Sequence, residues 1–238
     1  MKELDLTVIL PLRNRPIEIV KKCVDSLLNQ NPMPKVIVVD MGSDEDKLEW
    51  YRKNIPFTFI EVINKQEKWN FARAYNIGVN HTQTKYVASS NIDCIFSIDF
   101  MKQVDRQLSY MDTGHEKYFM TCRVTDLDEE GRSDLSGKRH NGKDAIGGFW
   151  LLPTEWVKKV HGMDEHFLGW GYEDTDYLER IKKDGFLRFD VSHLTLLFHQ
   201  WHEPANIRLP IFNYEANKEW YIAHKGEIVK NLEGWGEL

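Results

Sequence analysis

A chain of 238 residues with 42% hydrophobic side chains is long enough for one large domain, or two fused halves, around a real core. Its formal net charge of −6 argues against nucleic acid as the main partner, because phosphate backbones need a basic field. The acidic N-terminus predicts no signal peptide. No apolar run approaches the ~20 residues of a bilayer span. Cys23, Cys94 and Cys122 lack paired spacing. The expectation is a cytoplasmic protein with reduced thiols, and peripheral membrane attachment stays open.

Leu6 to Leu12 is a branched apolar run and predicts a buried strand, broken by Arg13-Asn14-Arg15. Pro16 suits the first turn of a helix whose apolar face holds Ile19, Val20, Cys23, Val24, Leu27 and Leu28. Lys35 to Asp40 predicts a second strand, Glu45 to Lys53 a helix, and Phe57 to Ile63 a third strand. A helix from near Asn70 to Val79 and a strand from Lys85 to Ser90 follow, the strand ending at Asn91-Ile92-Asp93. Strands alternating with helices predict a mostly parallel α/β sheet. Asp126 to Lys143 reads as a long polar loop able to act as a lid. A strand over Ala145 to Leu152, a helix near Thr154 to His161, and a helix ending at Gly185 come next. A strand pair is expected from about Leu187 to His199, and a partly helical segment from Glu203 to Leu238.

Two strands of the parallel half end in an acid, Asp40 and Asp93, and a third is followed by Arg13 and Arg15. Ligands collect at the carboxyl ends of strands in open α/β sheets. A single acid there ordinarily starts a turn. Two acids with two arginines point to a nucleotide site, with a carboxylate-held metal and guanidinium groups supplying local positive charge. Neither GxGxxG nor GxxxxGK[ST] is present, which weakens dinucleotide and P-loop alternatives. In Gly169-Trp170-Gly171-Tyr172-Glu173-Asp174 the glycines permit sharp turns beside an indole that can face a sugar ring. The acids fall at a helix start, where the dipole favours an ionised carboxylate usable as a base; simple N-capping is the bland alternative. His199 and His202, just after an apolar strand, could complete a divalent site begun by Asp93, with one ligand and one bystander the central expectation.

Pro11-Leu12-Arg13-Asn14-Arg15 resembles the P-F-R-N-R opening of β-1,4-galactosyltransferases, and Arg73 to Gly78 resembles the helix before their metal motif. Asn91-Ile92-Asp93 falls where such enzymes carry D-x-D. Gly147-Gly148-Phe149, Gly162-Met163-Asp164-Glu165 and the W-G-x-E-D block follow the order of the acceptor region. That region is similar also to the galactosyltransferase-like modules of polypeptide GalNAc-transferases and bacterial chondroitin polymerases. The resemblance spans about Thr7 to Glu203 and implies a GT-A fold. Residues 1–125 would form the nucleotide-sugar half, and residues 126–238 the acceptor-binding and catalytic half of one continuous domain.

By that resemblance Pro11, Arg13, Arg15, Asp40, Arg73, Asn91 and Asp93 would serve the donor. Asp93, His199 and His202 would hold Mn2+ or Mg2+. Gly148, Trp170 and Glu173 would meet the acceptor, and Asp174 would be the general base. The implied reaction is inverting transfer of a hexose or N-acetylhexosamine from a UDP-sugar to a hydroxyl of a glycan or lipid-linked saccharide. Asn91 in place of the first acid of D-x-D, and Leu168 where galactosyltransferases have a first tryptophan, are departures. The alternatives are a retaining transferase or nucleotidyltransferase, and a carbohydrate-binding protein that kept the fold and lost activity. Sugar transfer to DNA is disfavoured by the charge.

Overall fold

The computed structural model describes residues 3–63, 68–114, 116–133, 147–203 and 213–238. Strand β1 (Glu3–Leu12) pairs in parallel with β2 (Met33–Asp40) on one side and β4 (Tyr86–Ser90) on the other, and β2 pairs in parallel with β3 (Thr58–Glu61). The crossovers are helices α1 (Ile17–Leu28), α2 (Glu45–Asn54) and α3 (Phe71–Asn80). The sheet continues through β8 (Phe149–Pro153), β6 (Tyr118–Thr121) and β9 (Leu187–Asp190), giving the order β3-β2-β1-β4-β8-β6-β9. Of these seven strands β8 alone runs against its neighbours. The sheet is therefore mostly parallel, as expected, and both sequence halves contribute to it.

Alternation along the strands divides the core into two layers, since successive side chains point to opposite faces. Leu6, Val8, Leu10 and Leu12 of β1 and Val36 and Val38 of β2 face the apolar side of α1 and the helix α4 (Phe100–Thr113). Ile9, Ile37 and Val39 face α3, α5 (Thr154–Lys159) and α6 (Glu173–Lys183). The Asn70 side chain caps α3 by accepting from Arg73 N at 2.9 Å. Gly78 lets α3 settle on β1: a Cβ there would lie 2.5 Å from Ile9 Cγ2. Ile9 is fully buried and β-branched, so it cannot swing aside. Gly78→Ala is expected to destabilise the fold by about 1–3 kcal/mol, read from the urea midpoint at unchanged m-value.

A second, three-stranded sheet has the order β5-β10-β7, from β5 (Cys94–Phe96), β10 (Leu197–His199) and β7 (Val124–Asp126). The strand pair expected over Leu187 to His199 is thus not a pair. The backbone turns at Val191, whose carbonyl accepts from Leu194 N and Thr195 N, and the chain passes from β9 in the large sheet to β10 in the small one. Likewise β6 and β7 lie in different sheets. The lid expectation for Asp126 to Lys143 falls partly outside the described residues, as do parts of the Ala145 and Glu203 segments. Within the last of these, α7 (Tyr214–His224) is helical as expected. All three cysteines are buried and none forms a disulfide. Among the described residues no helix is long and apolar enough to cross a membrane.

Candidate active site

The loops after β1 and β2 are stitched together. Asn14, at φ 53°, donates its backbone N–H to Ser43 Oγ (2.8 Å) and accepts from Asp44 N through Oδ1 (2.7 Å). Asp40 Oδ1 accepts from Gly42 N and Ser43 N at 3.0 and 2.8 Å, and Oδ2 accepts from Ser43 Oγ at 2.5 Å. The Tyr51 hydroxyl donates to the Arg15 carbonyl, fixing that backbone beside the site. The Arg15 guanidinium then reaches Asp93, with Nη2 2.8 Å from Oδ2.

The small sheet collects the remaining groups. Asn91 accepts from Cys94 N in the turn that delivers Asp93, and Asp93 accepts from Gln200 N through its carbonyl. Register places His199 opposite both Cys94 and Asp126. Asp93 Oδ1 lies 3.7 Å from His199 Nε2, and Oδ2 lies 3.3 Å from His202 Nε2. On the far side of the ring, His199 Nδ1 is 3.2 Å from Asp126 Oδ1. Burial alone would raise the Asp93 carboxyl, but His202, Arg15 and His199 together hold it down at about 2, so it stays ionised. Contact with Asp93 outweighs burial at His202, whose imidazole is pushed up.

These residues fit a divalent cation. One ligand atom from each of Asp93, His199 and His202 lies within 4.8 Å of the others. Among the described residues Asp93 Oδ1 and His202 Nε2 are buried without a hydrogen-bond partner, a costly state that a shared cation would relieve. One carboxylate with two imidazoles is a mixed oxygen and nitrogen donor set for a divalent ion, the carboxylate being the donor that hard ions such as Mn2+ need. Both histidines converge on Asp93, where sequence reasoning expected one bystander.

The second constellation opens α6. Gly169 (φ 75°), Gly171 (φ 109°) and Tyr172 (φ 70°) are all left-handed, and Tyr172 itself is the N-cap, with no side-chain cap bond. Glu173 and Asp174 lie in the first turn, so neither is the N-cap residue. Glu173 folds back, Oε2 accepting from Gly171 N at 2.7 Å. From α7, buried Asn217 donates Nδ2 to the carbonyls of Leu168 and Gly171, both at 3.0 Å, and holds the loop from behind. Trp170 is left 66% exposed, offset-stacked on Tyr214 with ring centroids 6.0 Å apart. A buried ion pair anchors the helix: Arg180 Nε meets Asp176 Oδ2 at 2.8 Å, and Arg180 Nη1 donates to the Gly162 carbonyl at 2.9 Å.

Asp174 is accessible to solvent yet sits in a recess crowded by protein. That desolvation, with Glu173 adding its charge, pushes the Asp174 carboxyl up to about 7. The helix dipole was expected to favour the ionised form; the recess and the neighbouring acid outweigh it. Gly147 faces Asp174 closely, since a Cβ there would lie 2.5 Å from Oδ2. Its neighbour Gly148 packs on the small sheet, where a Cβ would overlap Val124 and approach Leu197. The Gly147–Gly148 turn thereby joins the Asp174 recess to the strands that carry Asp126 and His199.

The other sequence candidates take varied places. Pro11 is buried in β1 opposite Val39, and Arg13 is half-buried in the following loop. Asp40 is buried and its observed bonds close its own turn. Arg73 Nη2 donates to the Glu237 carbonyl at 3.1 Å, which places a contact on the C-terminal tail. Gly148 accepts from Ser90 Oγ at 2.7 Å and serves close packing. The sequence singles out Gly147 only within the Gly147-Gly148-Phe149 segment and does not single out Asp126, which the structure sets beside His199. Asp126 ends a strand just as Asp93 follows one, so the same signal was present; the contact of Gly147 with Asp174 has no sequence signal.

Comparison with known proteins agrees with this architecture. The profile described as Glycosyl transferase family 2 matches residues 7–169. The β-1,4-galactosyltransferases 7 of Homo sapiens and Mus musculus are each 26% identical over 157 residues, covering 61% of this chain and 41% of theirs. The chain thus spans less than half the length of these relatives. Among solved structures, S. aureus TarS residues 1–349 superpose with a TM-score of 0.61 at 14% identity, covering 83% of this chain and 60% of that one. GalNAc-T7 with UDP, GalNAc and Mn2+ gives 0.61 at 14% identity, covering 83% and 44%. The mannosyltransferase PcManGT from Pyrobaculum calidifontis with GDP-Man and Mn2+ gives 0.56 at 15%, covering 84% and 57%. These likenesses show the GT-A fold, and with the profile match over more than half its length the chain belongs to glycosyltransferase family 2.

Proposed function

We propose that the protein transfers a hexose or N-acetylhexosamine from a UDP-sugar to a hydroxyl group of a glycan or lipid-linked saccharide, with inversion at the anomeric carbon. The observation that supports this reading is the Gly147–Gly148 turn: Gly147 faces the Asp174 carboxyl, poised near neutrality, and Gly148 packs on the strands that carry Val124 and Leu197, the second of which leads to His199 of the group that could hold a cation. Asp93, His199 and His202 would hold Mn2+ or Mg2+, which when bound neutralises charge on a leaving diphosphate. Arg15, pinned through its backbone, adds a guanidinium at the same place, and Arg13 lies two residues away. Asp174 would take the acceptor proton as its oxygen bonds to the anomeric carbon and the carbon–phosphate-oxygen bond breaks, the electron pair leaving with UDP. Exposed Trp170 offers an apolar face to the acceptor ring, with Glu173 beside it. Residues 1–125 would bear most donor contacts and residues 126–238 the acceptor side.

The names of related proteins support the donor class. A galactosyltransferase stands among the relatives, TarS has a structure with UDP-GlcNAc, and GalNAc-T7 has one with UDP, GalNAc and Mn2+. The test is a panel of nucleotide sugars assayed for transfer and hydrolysis with Mn2+ and with chelator. We expect one UDP-sugar to be turned over, the activity to vanish with chelator, and NMR to show the anomeric configuration inverted. A retained anomer overturns the displacement. A folded protein that binds no donor reverts to a carbohydrate-binding role.

A further inference from the structure

We propose that Arg15 makes the binding of cation and donor mutually dependent: its guanidinium pairs with Asp93 by itself, and passes to the donor diphosphate when a divalent cation takes that carboxylate. This rests on the cation reading above and adds a dependence to it, in which the cation alone binds weakly and the cation with a nucleoside diphosphate binds well. Arg15 Nη2 stands 2.8 Å from Asp93 Oδ2, closer than either imidazole. His202 Nε2 is 3.3 Å from the same oxygen, and His199 Nε2 is 3.7 Å from Oδ1. The Asp93 side chain is 5% exposed and that of Arg15 31%, so the guanidinium is the partner that an arriving polyanion can reach. Its backbone is held in place, because Asn14 is tied to Ser43 and Asp44 and the Tyr51 hydroxyl donates to the Arg15 carbonyl. A change of partner therefore asks only for side-chain rotation about a fixed Cα.

Charge decides the dependence. An imidazole that ligates a metal is neutral. The carboxylates of Asp93 and, across the His199 ring, Asp126 then just balance one divalent cation. The guanidinium left beside them is a surplus positive charge, repelled by the cation that has taken its partner and only partly reached by water. That cost is offset when an anion arrives. A nucleoside diphosphate has the matching chemistry, since the planar fork of an arginine can hold two phosphate oxygens while others face the cation. Each ligand thus removes the penalty that opposes the other, and linkage makes the strengthening equal in either order of addition.

The test is Mn2+ affinity by electron paramagnetic resonance, with and without UDP, in wild type, Arg15→Gln and Arg15→Lys. We expect Arg15→Gln to bind Mn2+ without UDP about fivefold or more tighter than wild type, because the competing charge is gone. The factor by which UDP strengthens Mn2+ binding should shrink by more than that, since the diphosphate has lost a partner as well. Arg15→Lys keeps the charge and should stay nearer wild type in both. Unchanged or weaker Mn2+ binding without UDP in a folded Arg15→Gln protein overturns the proposal and leaves the cation site standing. A wild type that binds no Mn2+, with UDP or without, removes the cation reading and the proposal with it. Should Arg15→Gln fail to fold, the Arg15 15Nε resonance of the wild type decides, with diamagnetic Mg2+ as the ion. It should move far more with Mg2+ and UDP together than with either alone, and a resonance unmoved by the pair overturns the exchange.

Discussion

Replacing Asp174 by asparagine is expected to lower kcat by about 10²–10⁴-fold while leaving donor and Mn2+ affinity within about twofold of wild type. The side chain keeps its shape and its place against Gly147, so only its ability to take a proton is lost. The pH profile carries the finer signature. Because the carboxyl is pushed up to about 7, its basic form is lost as pH falls below that value. Wild-type kcat should therefore climb with pH to about 7 and level off, and the residual activity of the variant should lack that limb. Stability should move the other way. An acid whose folded value is raised stabilises the fold fully only below its unfolded value, and that contribution is lost as pH rises through the folded one. At pH near 8 the wild type carries an unfavourable charge in the recess and the variant does not, so the Asp174→Asn melting temperature should equal or exceed wild type. The gap should close as pH falls toward about 4. Near-wild-type turnover in the variant would remove Asp174 from the chemistry.

Much of the donor side was legible because its elements are long and periodic. The β1 run and the α1 face each bury a continuous stripe, and in the second half the WGYED block announces its turn through glycines and its helix through acids. Asp40 and Asp93 carry the same sequence signal and meet different fates. Asp40 is followed by Gly42 and Ser43, whose N–H groups close on its carboxylate, whereas the Asn91 turn ties backbone only and leaves Asp93 for Arg15 and the histidines. Strands β5 and β7 went unread because they are three residues each and owe their existence to pairing with β10, a partner about a hundred positions away at most. Asp126 is visible as an acid, but the polar run that follows it reads as a loop beginning there. The raised Asp174 carboxyl could not be read at all, since helix position argues for ionisation and only the packed recess reverses it.

Asp93→Asn is expected to reduce Mn2+-dependent turnover by about 10³-fold or more, the order of several kcal/mol of charge stabilisation at the leaving diphosphate. Asparagine keeps the volume and removes the only carboxylate among the three ligands, leaving two imidazoles with too little negative charge to hold a hard divalent ion. This variant should also unfold more easily. The Asp93 carboxyl is held at about 2 against an ordinary 3.8, so its ionised form stabilises the native state above the ordinary value, and that contribution is lost as pH falls toward about 2. At neutral pH the substitution should cost roughly 2 kcal/mol, or about 4–8 °C in melting temperature for a chain of this size. Mn2+ should raise the wild-type melting temperature, as any ligand of the native state does, and leave Asp93→Asn unmoved. The two substitutions thus have opposite signs in stability and the same sign in turnover. A base in a crowded recess strains the fold to gain basicity, whereas a carboxylate ringed by Arg15, His199 and His202 is already stabilised before any cation arrives. If Asp93→Asn retained Mn2+-dependent turnover, the cation would have to bind elsewhere, and the cluster of Asp93 with the two histidines would be a structural ion pair.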